Sequence, residues 1–192
     1  MRRFIDRSLP VETMAKSDSF FIRAIVPVSG VTYAQTEIDL GSFVNLGVSK
    51  STLLRIHNIE ASYTDNSDIS SVIYYDGAIP GSLLSWQVTT QTQSALVTAD
   101  DKSVVARGTR YQPVNSAGYS GGALSPLTTS QVDDINPSSW RNGYLVAVDS
   151  MFLGADSSAT MDSGDFDVSI IMECTLETAT QASSTALALS QQ

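Results

Sequence analysis

A lone cysteine, Cys174, and a lone histidine, His57, leave no intrachain disulfide and no metal site with two Cys or two His ligands, which removes most zinc and iron–sulfur chemistry. Charge is scarce too: 16% of the 192 residues are Asp, Glu, Lys or Arg, and 11 of these are basic against 20 acidic. No run approaches the roughly 18 apolar residues that span a bilayer. Asp6, Pro10 and Glu12 interrupt what would be the apolar stretch of a Sec-type leader, so the chain reads as soluble and made without one. What is present is 42% hydrophobic residues, enough for one core in a single domain of this length. Its polar part is dominated by uncharged hydroxyls, 29 Ser and 17 Thr.

The net charge of −9 is unevenly spread. Residues 1–23 carry Arg2, Arg3, Arg7, Lys16 and Arg23 against Asp6, Glu12 and Asp18, whereas the remainder holds 6 basic and 17 acidic side chains. An acidic body repels phosphate backbones within the screening length, so any polyanion contact is expected from the N-terminal arm alone.

Period two is the dominant rhythm. From Asp165 to Glu177, Phe166, Val168, Ile170, Met172, Cys174 and Leu176 fall on one face, broken only by Ile171. Ser19–Val28 behaves likewise, its Pro27 pointing to an edge or an end. Runs at Ser51–Thr64, Ile69–Tyr75, Leu83–Thr89, Lys102–Arg107 and Tyr144–Leu153 are β-branched or aromatic-rich, and several are apolar on both faces, as in sheets covered on both sides. Tyr33–Leu40 is a weaker candidate. Turn signals such as Ser29-Gly30, Asp76-Gly77 and Asn142-Gly143 separate them. The pattern predicts an all-β, antiparallel sandwich or barrel of about eight strands. Arg110–Trp140 has no sustained period and reads as one long excursion, closed by a helical turn at Asn136–Trp140. The division is then an arm over 1–18, a β-domain over 19–177, and an Ala/Ser/Thr/Gln-rich tail or short helix over 178–192 that packing elsewhere must order.

The sharpest chemical match is Gly118-Tyr119-Ser120-Gly121-Gly122, which fits the Gly-x-Ser-x-Gly elbow and, apart from Tyr119, the segment around a chymotrypsin-like nucleophile. With His57 upstream and Asp100 and Asp101 between, the order is that of a β-barrel serine protease using His57, Asp101 or Asp100, and Ser120. Spacing opposes it, because one clear strand separates Asp101 from Ser120 and His57 sits inside a strand. The serine then belongs to a flexible Gly-rich loop, and no enzyme is expected. Carboxylates cluster at Asp65/Asp68, Asp100/Asp101, Asp133/Asp134 and Asp162/Asp165/Asp167, but none has the spacing of a calcium-binding helix-loop-helix. They read as solvated turns; no metal, cofactor or small-molecule substrate is expected. His57 reads as a strand residue hydrogen-bonded to a neighbour or facing solvent, Cys174 as core, and Trp86 and Trp140 as core and interface anchors.

Four phrases carry a resemblance: Glu37-Ile38-Asp39-Leu40-Gly41, Leu84-Ser85-Trp86-Gln87, Asn142-Gly143-Tyr144-Leu145-Val146 and Ala186-Leu187-Ala188-Leu189-Ser190-Gln191-Gln192. With the arm, excursion and tail, the chain resembles the small jelly-roll coat proteins of tailless icosahedral viruses, particularly short acidic ones from marine environmental sequences. The resemblance implies a single jelly roll and many copies closing a symmetric shell around a genome. It also implies a place in the virion after assembly in host cytoplasm. Subunit contacts are expected at Tyr119, Trp140, Leu187 and Leu189, and inner-surface contacts to genomic nucleic acid or an inner membrane at Arg2, Arg3 and Arg7. The weak basicity of the arm departs from RNA-packaging coat proteins. A hydroxyl-rich, charge-poor surface independently favours self-association, since interface centres are likewise depleted in charge.

Overall fold

The computed structural model describes residues 18–46, 48, 50–71, 73, 75, 81–113, 130–161 and 164–191. Among them lie strands β1 (Phe20–Val28), β2 (Ala34–Asp39), β3 (Lys50–Asp65), β4 (Gly81–Thr89), β5 (Val104–Pro113), β6 (Ser130–Ile135), β7 (Tyr144–Val146), β8 (Ser150–Ser157) and β9 (Phe166–Thr180). A helix, α1 (Gln181–Ser190), follows β9, and a 3-10 turn at Pro137–Ser139 precedes β7.

All pairings are antiparallel. One sheet has the order β1-β9-β3-β7, the other β2-β8-β4-β5-β6. With β6 set aside, the partners are first with last, second with second-last, and so inward to β4 with β5. Successive pairs alternate between sheets, which is the winding of a jelly roll. The fold is therefore an all-β jelly-roll sandwich with one C-terminal helix, as the sequence pattern and the resemblance led us to expect.

Alternation builds the core. Phe166, Val168, Ile170, Met172 and Cys174 of β9 are buried and belong to one apolar cluster with Leu84, Trp86 and Val88 of β4 and Met151, Leu153 and Ala155 of β8. In β3 the inward set changes parity. Leu54 and Ile56 are buried before His57, and Ile59 and Tyr63 after it. The register against β9 skips His57, pairing Ile56 with Cys174 and Asn58 with Glu173, so His57 is the extra residue of a β-bulge. This bulge gives β3 its apparent apolarity on both faces.

Two side-chain amides finish the β7 side of the first sheet. Asn136, buried ahead of the 3-10 turn, donates to Ile59 O at 2.7 Å and accepts from Ile59 N at 3.4 Å, so its carboxamide stands in for a peptide group beyond the end of β7. Gln191 does the same beside β7, donating to Leu145 O at 2.6 Å and accepting from Ala147 N at 3.0 Å. Its own carbonyl accepts from Thr90 Oγ1 at 2.6 Å, tying the chain beyond α1 to the second sheet.

Three local readings of the sequence are corrected. Tyr144–Leu153 is two strands in different sheets, because Ala147-Val148-Asp149 crosses the sandwich edge while remaining apolar enough to look continuous. Arg110–Trp140 is not one excursion: β5 runs on to Pro113, and β6 pairs with it from Ser130. The described residues of Ile69–Tyr75 form no strand longer than a bridge, although Ile73 and Tyr75 are buried. The 3-10 turn does close the segment as expected, with Asn136 as its cap.

Candidate assembly surfaces

Of the residues considered for proteolysis, the described ones, His57 and Asp101, each have partners other than one another. His57 Nε2 lies 2.9 Å from Thr175 Oγ1 on the neighbouring strand. Asp101 Oδ1 instead accepts from the backbone N–H of Ser103 at 2.8 Å and from its hydroxyl at 2.6 Å. These bonds, the hydroxyl's first, hold the Asp101 carboxyl below the usual carboxylate range. Asp65 is held low in the same way by the Ser67 hydroxyl and N–H and by the Asp68 N–H. Both acids are turn-formers, each with Oδ1 accepting from its own turn. Burial pushes the Cys174 thiol up to about 12, helped by Glu173, so it stays protonated and inert. Ser120 and Tyr119 lie outside the described residues, as do Arg2, Arg3 and Arg7.

The outer faces of the sandwich carry the unexplained features. On the first sheet, β1 turns Phe21, Arg23 and Ile25 outward, and their register partners on β9 are Glu173, Ile171 and Ser169. Phe21 is 54% exposed, Ile25 50% and Ile171 42%, so three large apolar side chains share one uncovered face. The Arg23 guanidinium lies 5.8 Å from the Phe21 ring centre, which shields part of it. β1 is the sheet's edge strand, in keeping with Pro27.

The second sheet is half covered by the chain itself. Gln87, outward-facing yet buried, donates to Tyr33 Oη and to Ala95 O, each at 3.0 Å, and accepts from Val97 N at 2.9 Å. Gln35 accepts from Gln93 N at 2.9 Å and donates to Thr92 Oγ1 at 2.8 Å. Residues 91–103 are thereby pinned over this sheet by side-chain amides. Tyr33 lies flat across Gly154, where an added Cβ would come within 2.0 Å of the phenol oxygen. Burial raises the Tyr33 hydroxyl above its ordinary range, against the opposing hydrogen bond from Gln87. Past this cover, Leu83 pairs with Tyr111, and Thr109 with Val132. Leu83 and Val132 are exposed, and Tyr111 is partly so. A second apolar cluster therefore stands on the opposite outer face.

The other described residues expected at subunit contacts are Trp140, Leu187 and Leu189. Trp140 is 42% exposed and packs on one side against Tyr144, ring centres 5.6 Å apart. Leu189 is 67% exposed on α1, whereas Leu187 is half-buried. The helix is held to its own sandwich: Ser184 donates to Ser51 Oγ at 2.8 Å, and Gln191 forms the bonds described above. What the tail packs against is its own sandwich, through polar contacts that a count of apolar residues does not register. Sequence reasoning missed Phe21, Ile25, Leu83, Tyr111 and Val132. The available signal was the two-faced apolar character of β1 and the break at Ile171.

No family model and no curated protein sequence matches the chain. Similar solved structures include the VP1 of human polyomavirus 12 in complex with 3′-sialyllactosamine, at TM-score 0.44 and 8% identity over 85% of this chain and 100% of that one. Apo New Jersey polyomavirus VP1 gives 0.43 at 8% identity, covering 85% and 100% of the two chains. A Merkel cell polyomavirus virus-like particle gives 0.36 at 8% identity, covering 86% and 75%.

Proposed function

We propose that this protein is a viral coat protein whose mechanism is symmetric self-association into a closed icosahedral shell around a genome, placing it in the virion. The observation that carries the reading is the pair of exposed apolar clusters on opposite outer faces of a jelly roll, Phe21/Ile25/Ile171 and Leu83/Tyr111/Val132. A monomer gains nothing from them, whereas covering each large side chain is worth on the order of 1 kcal/mol when it starts half exposed. A surface present on two faces permits head-to-tail contact between copies, and such contacts close into rings and shells when the rotation allows. The hydroxyl-rich remainder loses little on desolvation.

Trp140, Leu189, Leu187 and Tyr119 are proposed as further subunit contacts. The arm, through Arg2, Arg3 and Arg7, is proposed to meet genomic nucleic acid or an inner membrane on the shell's inner surface, after assembly in host cytoplasm. Electron microscopy of purified protein tests the reading. Uniform closed particles, unchanged by Ser120→Ala, are expected. Discrete monomers in which Ser120 is labelled by a fluorophosphonate, with labelling abolished by His57→Ala, overturn it in favour of a hydrolase.

A further inference from the structure

An open hollow of about 380 Å³ lies at the β7 side of the first sheet, lined by Arg55, His57, Arg141, Asn142 and Glu177. Its floor is fixed by an ion pair and a hydrogen bond. Arg55 forms a bidentate pair with both Glu177 oxygens, the Nη2 contact at 2.7 Å, and its remaining Nη1 donates to Asn142 O. His57 is occupied at Nε2 by Thr175. The rim is different. Arg141 is exposed, and among the described residues it is the one arginine with no hydrogen bond, ion pair or aromatic partner: Arg23 lies on Phe21, Arg55 on Glu177, Arg107 on Asp134 and Arg110 on Tyr63.

The turn that presents Arg141 is rigid. Gly143 N donates to Trp140 O at 3.1 Å, and Asn142 O is held by Arg55. Gly143 has φ +65° and sits so close to β3 that an added Cβ would fall 2.2 Å from Ile56 O. A free guanidinium and a 42%-exposed tryptophan, Trp140, are therefore adjacent on a preorganised turn beside a polar hollow. Trp and Arg are the residue types that most often anchor protein interfaces, and preorganisation lowers the cost of using them.

From this geometry we infer that the Trp140–Arg141 turn and its hollow receive a carboxylate side chain from a second copy of this chain. Charge complementarity fixes the occupant. The body after residue 23 holds 6 basic and 17 acidic groups, so the facing surface of another copy offers carboxylates in excess, while the hollow holds two arginines against one glutamate. A planar guanidinium takes a carboxylate in paired hydrogen bonds. The inference rests on the shell reading and names one contact within it.

The test compares wild type, Arg141→Glu and Arg141→Lys by sedimentation, with the unfolding midpoint of each dispersed subunit as the control for folding. Arg141→Glu is expected to cut the particle fraction at least about tenfold at an unchanged midpoint, while Arg141→Lys, which keeps the charge, still assembles. In particles co-assembled from ¹⁵N-labelled and unlabelled Arg141→Lys subunits, carbodiimide is expected to join the introduced side-chain amine to an Asp or Glu carboxyl of another copy. The amide forms with loss of one water, taken up by the carbodiimide, and mixed-isotope peptides report it. Normal particles from Arg141→Glu overturn the inference and leave the shell reading standing. Amide links from the introduced amine that stay within one copy do the same, as does calorimetric binding of citrate to the dispersed subunit that Arg141→Glu abolishes without affecting assembly. No particles from wild type overturns the shell reading and this contact together.

Discussion

Gly143 shows how one residue fixes a surface. Its left-handed φ of +65° and the 2.2 Å approach that a Cβ would make to Ile56 O leave no room for a side chain. Gly143→Ala is expected to lower stability by about 2–4 kcal/mol, read as a reduced urea midpoint at constant slope. Asn142-Gly143 was legible as a turn, but not the packing behind it, since contact with a strand eighty-odd residues away leaves no local trace. Asp65 and Asp101 make the acid limb of stability predictable. Both carboxyls are held low in the folded protein by Ser67 and Ser103, so the folded state binds those protons less readily than the unfolded chain. Their contribution is complete above the ordinary carboxylate value of about 3.9 and is lost as pH falls through the lowered folded values. Urea midpoints measured from about pH 6 down to about pH 2 should fall less steeply in Asp65→Asn and Asp101→Asn than in wild type.

At the level of strands and sheets, what the sequence made legible was whatever alternated without interruption. β9 and β1 declare their inward faces residue by residue. β6 did not, because Gln131-Val132-Asp133-Asp134 mixes one apolar residue with polar ones, and Asp134 is skipped in the pairing of Arg107 with Ile135 and Gly108 with Asp133. The boundary between β7 and β8 was hidden for the opposite reason, since Ala147 and Val148 are buried at the crossing. α1 was legible only as a tail or short helix, and its anchoring by Ser184 and Gln191 was not legible at all. The same carboxamides have a consequence for assembly: with Asn136 and Gln191 occupying backbone groups on the β7 side, that edge is blunted against strand pairing and association is directed to faces. Serine at both Phe21 and Ile171 is accordingly expected to change the dispersed subunit's stability by no more than about 0.5 kcal/mol each while abolishing particle formation. Equal particle yields from this variant and wild type, compared by light scattering, would refute the role assigned to the first outer face.

For the molecule as a whole, the described residues supply the core, the helix and the amide cover over the second sheet from one chain. What it leaves unfinished is surface, namely two apolar clusters facing away from each other and a tryptophan–arginine turn at the rim. Fold alone does not decide function, because jelly rolls serve lectins and enzymes as well as shells. The decision rests on whether those surfaces meet their like. Sedimentation velocity over a series of protein concentrations addresses this most directly. The account predicts a single fast boundary of closed, megadalton particles above a threshold concentration, in equilibrium with dispersed subunits below it. A lone slow boundary of monomer across the whole series would contradict it.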